Sequence, residues 1–90
     1  MLELHVKETN MDAEMKKDAI NCAVRASEQY KLYKDIAQCI KNEFSEKYGS
    51  DGWVCRVGGS LFKGDVCTSD EHYIKFGLGE LKVILFKPNK

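Results

Sequence analysis

Between Trp53 and Phe86 the chain offers four short apolar runs, WVCRV, SLFKGDVCT, HYIKFGL and LKVILF, cut by glycines and small polar clusters. Runs of this length are strand-sized, and their spacing leaves no room for helical connections, so the C-terminal part reads as antiparallel sheet. Two long stretches with helical periodicity precede it. From Asp12 to Tyr30, Met15, Ala19, Cys22, Ala23, Ala26 and Tyr30 recur at steps of three and four, one stripe of an amphipathic helix. Asn10 and Asp12 offer capping side chains before it, and Glu14 and Asp18 suit the positive end of its dipole. A second helix is expected over 33–48, with Ile36, Ile40, Phe44 and Tyr48 on its core face and Ala37 and Cys39 assisting. Lys34, Gln38, Lys41, Asn42 and Glu46 fall on its wetter side, and Gly49 is placed to end it. The fold class that follows is α+β: two amphipathic helices packed on an antiparallel sheet.

Within the sheet region, Trp53, Cys55 and Val57 share one strand face, and Gly58-Gly59 reads as a turn signal. The run over 62–68 has mixed polarity on both faces, and Gly64 allows close backbone approach. It is the best candidate for an edge or exchanged strand. Residues 72–78 and 81–86 read as a hairpin around Gly79-Glu80, with Ile74, Phe76, Leu78, Val83 and Leu85 in the core. Leu2, Leu4 and Val6 alternate with Glu3, His5 and Lys7, the period of a half-buried strand.

The 90 residues suit a single domain spanning 1–90, because smaller pieces would not bury a core. Fourteen basic residues balance fourteen acidic ones, with both signs scattered along the chain. That argues against a nucleic-acid-binding protein. No apolar run is long enough to cross a bilayer and the start has no apolar leader, so a soluble intracellular protein without membrane insertion is expected. Cys22, Cys39, Cys55 and Cys67 lie 17, 16 and 12 residues apart, which gives no CxxC pair and favours free thiols. His5 and His72 stand in no metal-ligand spacing, so no metal and no cofactor is expected. Ser60, Cys67 and His72 lack an orienting third group, and Glu43 and Glu46 suit a solvated helix face better than acid–base chemistry. The chain reads as a binding module with no enzymatic activity, a sheet edge serving as its peptide-binding surface.

Several segments together resemble the cytoplasmic dynein light chains of the LC8 type. They are Glu14-Met15 with Asp18 and Cys22-Ala23, YKLYKDIAQCIKNEFSEKY, the Trp53-x-Cys55-x-Val57-Gly58 run, and HYIKFGLGELKVILFK. Their order and nearly constant spacing carry the resemblance over almost the whole chain. It implies a homodimer in which the strand near 62–68 is exchanged between subunits. Extended peptides, such as a dynein intermediate chain segment with a Thr-Gln-Thr-like core, would add as a further strand. The peptide-facing positions it implies are Lys34, Phe62, Lys63, Gly64, Asp65, Val66, Cys67, Thr68, Lys75 and Gly77, and those at the dimer interface are Val54, Phe62, Gly64, Asp65 and Val66. Asp65 and Gly77 stand where the family carries aromatic residues, Lys75 where it carries a tyrosine, and Thr68 where it carries a histidine. These departures imply altered client selectivity. A specialised structural subunit of a dynein or cytoskeletal complex, without general Thr-Gln-Thr binding, is the alternative. Val54 replaces an interfacial histidine, so dimer mass is expected to stay constant through mild acid; light scattering that records dissociation there would contradict this.

Overall fold

The computed structural model describes residues 3–49, 52–59, 62 and 72–88. Its elements run β1 (Leu4–Thr9), α1 (Ala13–Gln29), α2 (Tyr33–Tyr48), β2 (Val54–Gly58), β3 (His72–Leu78) and β4 (Leu81–Lys87). The strands form one antiparallel sheet in the order β1-β3-β4-β2, and both helices pack on one of its faces. This is the expected α+β arrangement. Of the segment expected to be exchanged, 62–68, only Phe62 is described, and 63–68 lie outside the described residues.

Local chemistry accounts for the element ends. Asp12 caps α1 by accepting from the Met15 amide at 2.8 Å, which satisfies one of the donors left open in the first turn. Gly49 closes α2 in the left-handed region at φ 59, where a side chain would be strained. The Gly79 amide, in the β3–β4 turn, donates to the Glu3 carbonyl at 2.7 Å and ties the hairpin to the approach to β1. Asn10 continues the β1–β3 pairing: its backbone N–H donates to the Tyr73 carbonyl, and its side chain accepts from the Tyr73 amide at 2.7 Å.

Ala19, Cys22, Ala23 and Ala26 of α1 and Ile36, Ile40 and Phe44 of α2 meet Ile74, Phe76, Leu78, Val83 and Leu85 in a single core. The small residues of α1 let it approach closely, and the bulk comes from α2 and the sheet. Phe44 sits at the centre of an aromatic cluster. Its ring lies 5.1 Å from Trp53, edge to face, and 5.1 Å from Tyr48, while Trp53 stacks on His72. Among the described residues the buried Trp53 Nε1–H finds no hydrogen-bond acceptor.

Two expectations need correction. Tyr30, at the end of the α1 stripe, is 40% exposed, because α1 ends at Gln29. Leu4 and Val6 do point to the helix side of the sheet, opposite Leu78 and Phe76, yet they remain 42% and 38% exposed. As part of an edge strand, they have a neighbouring strand on one side only. The Gly58-Gly59 turn signal is met by a backbone hydrogen bond, the Phe62 amide donating to the Gly59 carbonyl at 3.0 Å. Neither glycine is in the left-handed region, which among the described residues holds Gly49, Gly52 and Gly79. Gly58 is the last residue of β2, and the Phe62 side chain lies directly against its α-carbon.

Polar contacts tie the two helices together, among them the Arg25–Glu43 pair at 3.3 Å and a cluster at Asp18. Tyr48 Oη donates to Asp18 Oδ2 at 2.5 Å, and Lys47 Nζ lies 2.9 Å from the same oxygen. These partners hold the Asp18 carboxyl below the usual aspartate value of 3.8, the tyrosine hydrogen bond being the larger cause. A depressed carboxyl contributes stability that is complete at neutral pH and is lost as pH falls through its folded value. Urea midpoints of Asp18→Asn should therefore sit below wild type at neutral pH and converge on it in acid. Parallel curves would mean that the contact is not linked to folding.

Candidate functional site

The sheet leaves two features open for recognition. β2 is an edge, with β4 on one side and no strand beside it among the described residues. The opposite sheet face, turned away from both helices, has no helix over it in the same set.

Beside β2 lies a groove of about 600 Å³ between that strand and α2. Its helical wall is Tyr33, Lys34, Ala37, Gln38 and Lys41, and its other side is Trp53 to Val57 with Phe62. Lys34, Gln38 and Lys41 follow one another at steps of four and three, so a single stripe of α2 faces the strand. A polar helical stripe set beside an edge strand can take an extended peptide. The strand supplies backbone donors and acceptors, and the helix supplies side-chain selectivity.

Alternation along the strands sends Val54 and Arg56 of β2, Tyr73, Lys75 and Gly77 of β3, and Lys82, Ile84 and Phe86 of β4 to the helix-free face. His5 pairs with Gly77 and joins them; a bulge between Val6 and Glu8 places Glu8 opposite Lys75. Over this face lies a second hollow, of about 480 Å³, lined by His5, Lys7, Phe62, Lys75, Gly77, Lys82 and Ile84, among others.

Five of the expected site residues can thus be placed. Lys34 and Val54 line the β2 groove, Lys75 and Gly77 line the sheet-face hollow, and Phe62 borders both. Within one chain Lys34 and Lys75 are not brought into a common site. Lys63, Gly64, Asp65, Val66, Cys67 and Thr68 lie outside the described residues. Sequence reasoning missed Gln38, Lys41 and Arg56 in the groove and His5, Lys7 and Lys82 in the hollow. The helical step from Lys34 was a usable signal for the first two. Nothing local connects His5 to Lys82, because only the sheet register brings them together.

Cys22, Cys39 and Cys55 are free thiols. Burial pushes both Cys22 and Cys55 up to about 12, so neither is poised as a nucleophile. Among the described residues no group of His, Cys, Asp and Glu is placed to hold a metal ion.

Residues 3–88 match the family model described as dynein light chain type 1. Among solved structures, the chain is similar to the dynein light chain-like domain of the Fasciola hepatica calcium binding protein FhCaBP2. That match has a TM-score of 0.78 and 21% identity, covering 98% of this chain and 93% of that one. It is also similar to the DLC-like domain of CsTAL3, at a TM-score of 0.73 and 14% identity over 93% of this chain and 90% of that one. At these identities the structural matches speak for the fold.

Proposed function

Because the chain belongs to the dynein light chain type 1 family, whose members are non-catalytic scaffolds, we propose that it is a homodimeric peptide-binding hub. It takes extended linear motifs, among them a segment of a dynein intermediate chain, by β-strand addition. The observation that carries this reading is the β2 edge, which among the described residues has no strand beside it, lying next to the Lys34–Gln38–Lys41 stripe of α2. In this reading the segment 62–68 of one subunit pairs with its partner and presents Lys63 to Thr68 to the client. Lys34, Phe62, Lys75 and Gly77 complete the two symmetric sites, and Val54, Phe62, Gly64, Asp65 and Val66 join the subunits. Two sites per dimer tether two copies of a client, so modest contacts sum to a durable association. The protein then works in the cytoplasm, attached to dynein and the cytoskeleton.

The test is a titration of isotopically labelled protein with a Thr-Gln-Thr peptide and a scrambled control, following backbone amide shifts. Saturable, sequence-dependent shifts at 62–68, Lys34 and 75–77 are expected. A folded sample that responds to neither peptide, yet incorporates stably into a dynein complex, would replace the hub with a specialised structural subunit.

A further inference from the structure

Charge is not spread evenly over this fold. Each helix carries three cations and three anions, whereas the four strands carry Lys7, Arg56, Lys75, Lys82 and Lys87 against Glu8 alone. The excess gathers on the helix-free face. There, among the described residues, the charged ones lining the 480 Å³ hollow are Lys7, Lys75 and Lys82, with His5 beside them. Three strands contribute them: β1 supplies His5 and Lys7, β3 supplies Lys75, and β4 supplies Lys82. Glu8 faces Lys75 in the strand register but does not line the hollow. The apolar lining includes Ile84, only 2% exposed, so an anion entering there meets a cationic rim around a poorly solvated floor. Phe62 borders both this hollow and the groove beside β2.

We propose that the lysine-lined hollow on the helix-free sheet face seats an acidic side chain of the client peptide, an aspartate, glutamate or phosphoserine flanking its extended core. The inference rests on the peptide-binding reading above and names the chemistry of the peptide it selects. Lysines act here as point charges with three donors each, a match for carboxylate or phosphate oxygens. The site converts a general backbone attachment into a preference for acidic motifs, and phosphorylation of a client serine strengthens binding.

The test uses the full chain and a peptide set with one Thr-Gln-Thr core, in which glutamine, glutamate or phosphoserine is stepped through the flanking positions. Affinities are read by fluorescence anisotropy at low and high salt. At the productive position the acidic peptides should bind about tenfold tighter than the glutamine peptide, with the gap narrowing in salt. Lys82→Gln and Lys7→Gln, both exposed substitutions, should shrink the gap between the acidic peptides and the glutamine peptide. Equal affinities across the set would overturn the anion seat while leaving the peptide-binding reading intact. Failure of every peptide to bind would overturn both. Tight binding of single-stranded RNA, without preference among the peptides, would assign the cationic face to nucleic acid instead.

Discussion

Phe44→Ala is expected to destabilise the fold by about 3–5 kcal/mol, the usual cost of deleting a buried phenyl ring. Phe44 is 1% exposed, and its ring lies 5.1 Å from both Tyr48 and Trp53. Those two rings are themselves 6.4 Å apart, so the cavity has no easy way to collapse. For a domain of this size the melting temperature should fall by about 12 °C or more. Since small domains hold only about 5–15 kcal/mol in total, the variant approaches the limit of folding. Trp53→Phe is the informative contrast. It removes an indole N–H that has no acceptor among the described residues, together with a modest volume of ring. Relief of the unsatisfied donor offsets part of the packing loss, so the cost should stay below about 1.5 kcal/mol. Urea denaturation of both variants decides the matter. A Phe44→Ala cost below that of Trp53→Phe would mean that the aromatic cluster is not the keystone between α2 and β2.

The contrast between these two residues also shows how far the sequence can be read. Phe44 was recoverable from the 36–40–44 step along α2, because helical periodicity is a local property. The β3–β4 hairpin was equally legible, its two apolar runs separated by Gly79-Glu80. Ile84 was not. Strict alternation assigns it to the solvent side, opposite Val83 and Leu85, yet it is 2% exposed. β4 lies between β3 and β2, and its run of three consecutive apolar residues is the mark of a strand covered on both faces. For β1 the alternation was right and the burial wrong, since burial depends on whether a strand ends up at an edge. The cationic hollow is the extreme case: His5 and Lys82 meet only through the β1–β3–β4 register, which no window of sequence contains.

Gly58 links the fold to the site, and its replacement is the second large effect expected. A methyl group built at Gly58 would overlap Phe62 Cβ and Cγ and fall 2.6 Å from Cδ1, so Gly58→Ala must push the whole Phe62 side chain off the sheet. The φ of Gly58 is not positive, which leaves the steric overlap, and no backbone strain, as the cause. Forced overpacking of this kind costs about 1–3 kcal/mol. Phe62 borders both the β2 groove and the sheet-face hollow, so the same displacement should weaken peptide binding more than a substitution on either wall alone. A double-mutant cycle separates the contact from any other defect. The background is Phe62→Gly, because an alanine there would keep the overlapping β-carbon. With the side chain gone, adding Gly58→Ala should cost little further stability, since an alanine β-carbon fits a strand. If Gly58→Ala is as damaging without the Phe62 side chain as with it, the close approach of Phe62 is not what requires glycine at the end of β2.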